Sequence, residues 1–300
     1  MILKPPRLKP GDTISVFAPA GPVEPSELLP GMDRLQEMGF NVLPAPHLYD
    51  KKEYLAGEDT ARLEDLHAAF RNKEIKAIFC ARGGYGTLRL LPKIRFSSIR
   101  RNPKILVGYS DITSLLLSLH KKTGLVTFHG PMIRDSQKNG GANLDALIRL
   151  LSSDNPFSFA LENGRVLRGG RAVGRLIGGN LSLICHLAGT RYMPDPGGAI
   201  LFLEDTGEPP YKIDRILTHL KLCGFLKGIS GILAGRFEEC GDPAVIDAIL
   251  LDAVSEFHFP VVSGIPIGHG EQNLPLPIGG PPALLDTDHL TLTWTEPPVE

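Results

Sequence analysis

The stretch "LVGYSDIT", Leu106–Thr113, puts a serine where an apolar run gives way to a helical pattern. Serine has two uses at such a point. It caps a helix by accepting from the first free backbone N–H groups. Alternatively, it stands on a sharp strand-to-helix turn as a nucleophile, with the N–H of the next residue facing the same space. Here that residue is Asp111. The flanking pattern is Gly-Tyr-Ser-Asp, not Gly-x-Ser-x-Gly, so the local sequence favours the cap. "RGGYG", Arg82–Gly86, offers a second ingredient. Its glycines make either a plain tight turn or a loop whose bare N–H groups line an anion or oxyanion site. Neither G-x-G-x-x-G nor G-x-x-x-x-G-K-[ST] is present, so dinucleotide and P-loop readings lack their fingerprints.

A serine nucleophile needs a base, and the base needs an orienting group. Of nine histidines, His67, His120, His186 and His219 fall inside helical patterns, and His47, His258 and His289 have no partner pattern. His129 follows "LVTF" and His269 follows "VVSGIPI", each at the end of an apolar run. Glu204 ends the run "AILFLE", but Asp205 and Glu208 lie close by, and spacing does not choose among the three carboxylates. The "HGE" at His269–Glu271 is followed by no P-C-x-x-C, and H-E-x-x-H is missing, so no metal and no cofactor are expected.

The elements that carry these residues alternate in the first half. "DTISVFAPA", "FNVLPAP", "IKAIFCARGGYG", "KILVGYSD" and "LVTFHGP" read as strands. "PSELLPGMDRLQEMG", interrupted by Pro30 and Gly31, "TARLEDLHAAFRN" and "ITSLLLSLHKKTG" read as helices. This predicts an α/β fold with a parallel sheet covered on both faces. Function in such sheets collects at the carboxyl ends of the strands, where Arg82–Gly86, Ser110, Asp111 and His129 all fall. Residues 150–175 are polar, Gly-rich and poorly periodic, and are expected to hold a linker between domains at 1–155 and 156–300. Beyond it, "GGNLSLICHLAGT" reads as helical, and the end of "LLDTDHLTLTWTE" as an antiparallel edge strand.

Composition bounds the partners. Among 300 residues, 42% are hydrophobic and 22% charged, and the net charge of −1 points away from nucleic acid and anionic membranes. No apolar run approaches the roughly 18 residues of a spanning helix. The N-terminus does not read as a secretory signal. Cys80, Cys185, Cys223 and Cys240 form no C-x-x-C pair and are expected to be buried free thiols of a cytoplasmic protein.

Six segments then add up. "ARGGYG", "GYSDIT", "FHGPM", "IGGNLSLICHLAGT", "FLEDTGEPPYKIDRILTHL" and "GIPIGHG" occur in this order over nearly the whole chain. Together they resemble the bacterial LD-carboxypeptidases, serine peptidases that remove the terminal D-alanine from murein tetrapeptides in peptidoglycan recycling. The resemblance implies a flavodoxin-like N-terminal domain with Ser110, and a swivelling β/α C-terminal domain with Glu204 and His269. It implies a Ser110–His269–Glu204 triad, backbone oxyanion donors at Gly84 and Asp111, no cofactor, and a homodimer. Arg82 and Tyr85 are candidates for contacting the muropeptide. The microcin-immunity peptidases, which act on aminoacyl-nucleotide-like antibiotics, share this pattern but carry an aromatic residue on an inserted loop. Here residues 134–175 hold only Phe157 and Phe159 as aromatics, and Trp294 lies near the C-terminus, which favours the murein reading. Two alternatives stay open: His129 as the base, and a non-catalytic nucleotide or small-molecule binder in which Ser110 is a cap.

Overall fold

Runs such as "IKAIFC" and "ILVG" offer no polar face to water, so the strands they form must be covered on both sides. The computed structural model, which describes residues 2–300, shows this. β1 (Thr13–Phe17), β2 (Asn41–Pro44), β3 (Ile75–Cys80), β4 (Ile105–Gly108) and β5 (Thr127–His129) pair in parallel in the order β5-β4-β3-β1-β2. That is the flavodoxin-like order, with its switch point between β1 and β3. The loops Ala18–Gly21 and Arg82–Gly86 leave the carboxyl ends of those two strands.

The helix Pro25–Glu37 runs through Pro30 without a break. Proline there removes only the bond to the Ser26 carbonyl, and Ser26 is exposed to water. Gly31 is buried where the helix meets Ile133, so its lack of a side chain serves packing and not a break.

Residues 150–175, expected to hold the linker, carry secondary structure beyond the end of the helix Ala142–Ser152. They form β6 (Phe157–Ala160), β7 (Arg165–Arg168) and β8 (Arg171–Gly174). Four-residue strands alternate too briefly to register as a period, and their partners lie far along the chain. A second sheet follows from β9 (Leu176–Asn180), β10 (Ile200–Thr206), β11 (Gly231–Glu238) and β12 (Val261–Ile265), all parallel, with β7 antiparallel at the edge. The segment 177–180 is thus strand, and the helix begins at Leu181 because the Asn180 side chain accepts from Leu183 N–H and caps it. β13 (Leu276–Ile278) crosses back and adds to the first sheet, antiparallel to β5. β14 (Ala283–Asp286) and β15 (Thr291–Trp294) complete a four-stranded antiparallel sheet in the order β6-β15-β14-β8. β15 is therefore internal, not an edge: its alternation marks one buried face, with Leu292 and Trp294 inside.

The first two sheets share one apolar cluster, in which the helix Thr113–Thr123 packs against β9. The Asn180 N–H donates to Thr113 Oγ1 at 3.0 Å and pins that contact. Cys80 and Cys240 are buried free thiols, whereas Cys223 is exposed at the end of a helix. Among the described residues, no helix is long and apolar enough to cross a membrane.

Candidate active site

β4 ends at Gly108, and the chain turns through Tyr109 and Ser110 into a short 3-10 turn, Ser110–Ile112, before the helix Thr113–Thr123. Ser110 has φ 62, a left-handed backbone that a non-glycine residue rarely adopts. Such strain persists only where the surroundings enforce it. The N-cap position of that turn is Tyr109, which makes no side-chain capping bond, so Ser110 stands inside the turn and not at its cap. Instead, Ser110 Oγ lies 3.1 Å from His269 Nε2. His269 Nδ1 lies 2.7 Å from Glu204 Oε2. The turn after β12 and the end of β10 thus meet the end of β4 at one point.

The neighbouring carboxylates are engaged elsewhere. Asp205 points to the other side of β10, where it accepts from Asn180 Nδ2 and from the N–H and hydroxyl of Ser182, at 2.8–2.9 Å. Glu208 pairs with Lys212 at 2.9 Å. Glu204 is fully buried, and its Oε1 has no partner among the described residues. Burial raises the Glu204 pKa, and the His269 bond and charge offset this only in part. For His269, burial acts to lower the pKa. The hydrogen bond and charge of Glu204, joined by the charge of Asp205, outweigh it and hold the imidazole above its ordinary value. Gly268, at φ 107, makes room for the pair: a Cβ there would stand 2.4 Å from Glu204 Oε2.

The glycine loop lies against the serine, with a Cβ on Gly83 reaching to 3.0 Å of Ser110 Oγ. The Asp111 carboxylate turns away from the site and accepts from Thr87 N–H at 2.9 Å and from Thr87 Oγ1 at 2.8 Å. Thr87 follows Gly86, so this buried bond locks the residue after Ser110 to the end of the glycine loop. Sequence reading assigned Asp111 only a backbone role and overlooked Thr87; a buried Thr–Asp contact between two loops leaves no periodic signal.

Above Ser110 opens a cavity of about 450 Å³, lined among others by Arg82, Gly83, Gly84, Met132, Arg134 and Lys138. Arg82 reaches it while Nη1 donates to Pro22 O at 3.0 Å. Tyr85 does not line it; its ring is exposed and packs edge-on against Tyr54 at 5.7 Å, because the loop turns outward at that residue. Tyr109, Arg134 and Lys138 were missed from sequence. Tyr109 sits edge-on to His269 at 5.0 Å and donates its hydroxyl to Asp135 at 2.9 Å.

His129 is fully buried, and burial pushes its pKa down to about 4, so the ring is neutral. Its Nε2 is 3.0 Å from Asn273 Oδ1, which also accepts from Gly268 N–H at 2.9 Å. An amide oxygen only accepts, so the imidazole proton sits on Nε2. Asn273 N–H in turn donates to Asn143 Oδ1 at 3.2 Å, and Lys138 Nζ donates to the His269 carbonyl at 3.2 Å. His129 braces the turn that carries His269 and makes no bond to Ser110.

The chain matches the family models described as LD-carboxypeptidase N-terminal domain over residues 14–130 and LD-carboxypeptidase C-terminal domain over residues 173–284. A probable murein peptide carboxypeptidase of Bacillus subtilis is 41% identical over 292 residues, 94% of this chain and 91% of that protein. The murein tetrapeptide carboxypeptidase of Pseudomonas aeruginosa is 33% identical over 282 residues, 89% of this chain and 91% of that protein. A solved structure of MccF, the microcin C7 self-immunity protein, in complex with glutamyl sulfamoyl guanosine superposes with a TM-score of 0.93 at 26% identity, covering 99% of this chain and all (100%) of the other. On these matches and this fold, the chain belongs to the LD-carboxypeptidase family of serine-type carboxypeptidases.

Proposed function

We propose that this chain removes the terminal D-alanine from murein tetrapeptides by covalent catalysis at Ser110. The observation that carries the reading is the unbroken line from Ser110 Oγ through the His269 ring to the buried Glu204. His269 Nε2 takes the hydroxyl proton as Ser110 attacks the carbonyl of the penultimate, diamino-acid residue. Glu204 keeps the other ring proton on Nδ1 and stabilises the imidazolium. The backbone N–H groups of Gly84 and Asp111 receive the developing oxyanion. Each such donor is worth about 3 kcal/mol in the transition state. His269 then gives its proton to the leaving D-alanine nitrogen. Water, deprotonated by the same ring, hydrolyses the acyl-enzyme and restores Ser110.

The murein substrate is supported by the names of the relatives, and a role in peptidoglycan recycling in the cytoplasm, as a homodimer, follows from the resemblance alone. The microcin-type reading is weakened by the aromatics between 134 and 175: Phe157 stacks on the buried Trp294 at 4.4 Å and Phe159 sits edge-on to it at 5.9 Å. Mass spectrometry of a murein tetrapeptide is expected to show conversion to tripeptide and free D-alanine by the purified chain. Cleavage of an aminoacyl sulfamoyl nucleoside with the tetrapeptide left intact would overturn this in favour of the other substrate class.

The His129–Asn273 brace makes a separate prediction. Asn273→Ala strands the buried N–H groups of Gly268 and His129, a cost of roughly 1–3 kcal/mol. It is expected to lower kcat about tenfold or more and leave KM nearly unchanged, because the base shifts and the substrate cavity does not. Steady-state kinetics beside thermal melts check this; a lowered melting temperature with wild-type kcat would confine Asn273 to stability.

A further inference from the structure

Three cations line the Ser110 cavity: Arg82, Arg134 and Lys138. Lys138 is already engaged, with Nζ on the His269 carbonyl and 3.5 Å from Asp135. The backbone brings the segments that carry the two arginines together, since Arg134 N–H donates to Ala81 O at 3.1 Å, one residue before Arg82. Each is anchored through one edge. Arg82 Nη1 donates to Pro22 O, and Arg134 Nε meets Glu27 Oε1 at 2.9 Å. A guanidinium carries five N–H donors in a rigid fork, so these anchors leave most donors of both residues unspent. The pairing of like charges is felt: burial first, then the charge of Arg134, lowers the Arg82 pKa, against the opposing charges of Glu27 and Asp135. Asp135 itself receives the Tyr109 hydroxyl. Two guanidiniums lining one cavity with the nucleophile are suited to receive a carboxylate.

The chemistry supplies that carboxylate. In a D-alanine leaving group the carboxyl carbon is two bonds from the nitrogen that His269 protonates, so it must lie within the same cavity. We propose that Arg134, backed by Arg82, binds the terminal carboxylate of the substrate and restricts the enzyme to free chain ends. The proposal rests on the function argued above and goes beyond it by assigning the group that makes the peptidase a carboxypeptidase. Arg134 is the residue to test, because Arg82 also braces the Pro22 loop, whereas Arg134 is tethered by a half-exposed ion pair.

The experiment compares kcat/KM for a murein tetrapeptide with a free terminal carboxylate and for the same peptide as its terminal amide, in wild type, Arg134→Gln, Arg134→Lys and Lys138→Ala. Wild type is expected to favour the acid by about 10- to 100-fold, the worth of a charge-assisted bidentate contact. In Arg134→Gln this ratio is expected to collapse towards one. Arg134→Lys, a point charge without the fork, is expected to recover part of it, a rescue that a merely structural residue would not give. A ratio kept in Arg134→Gln but lost in Lys138→Ala would overturn the assignment and move the carboxylate to the lysine. A ratio kept in every variant would overturn it as well. Failure of wild type to cleave the acid at all would instead strike the parent function.

Discussion

Ser110→Ala is expected to cut D-alanine release by on the order of 10⁶-fold, the loss seen when a serine peptidase of the triad type is deprived of its nucleophile. The cavity and the backbone N–H groups of Gly84 and Asp111 remain, so substrate is expected to bind while no acyl-enzyme forms. The fold is expected to survive. Ser110 Oγ makes one hydrogen bond, to a ring that also lines the open cavity and is 19% exposed, so its removal strands no fully buried partner. The φ of 62 adds a second readout. An L-residue in the left-handed region costs roughly 1–2 kcal/mol, more than the backbone entropy lost on placing glycine there. Ser110→Gly is therefore expected to be as inactive as Ser110→Ala yet to melt at a higher temperature. Turnover retained in either variant, read by mass spectrometry of the tetrapeptide, would place the nucleophile elsewhere.

Glu204→Gln is expected to lower kcat by about 10⁴, as the equivalent amide does in the serine-protease template, by releasing the imidazole from its working tautomer. It also shifts the pH profile, and the sign follows from the His269 environment. The base must be neutral to accept the serine proton, so kcat/KM rises as pH climbs through the His269 pKa. In wild type, burial acts to lower that pKa, but the Glu204 bond and charge hold it above the ordinary histidine value, so the acid limb is expected above that value too. With the carboxylate replaced by an amide, burial acts with less opposition and the limb moves to lower pH. A pH profile of residual activity separates the outcomes. A limb that stays in place would mean that Glu204 does not set the histidine pKa. A limb that moves upward would contradict the electrostatics of the site.

The sequence carried the parallel sheet legibly. β3 and β4 are apolar at nearly every position, and continuous apolar runs between helical periods are what a doubly covered sheet requires. It also placed Ser110, Glu204 and His269 at the ends of apolar runs, where strands open into loops. It did not bring them together. Ser110 and His269 are 159 positions apart, and no local period relates them; only the docking of β9 against the helix Thr113–Thr123 and the return of β13 to the first sheet close that distance. The choice of Glu204 over Asp205 and Glu208 was likewise tertiary. The pleat of β10 turns Glu204 towards His269 and Asp205 towards Asn180 and Ser182. Tyr85 looked as eligible as Arg82 in "RGGYG", but the curl of the loop sends one outward and the other into the cavity. Side-chain type was written in the sequence; which face of a strand or loop each side chain occupies was decided by packing, because that depends on what lies on the other side.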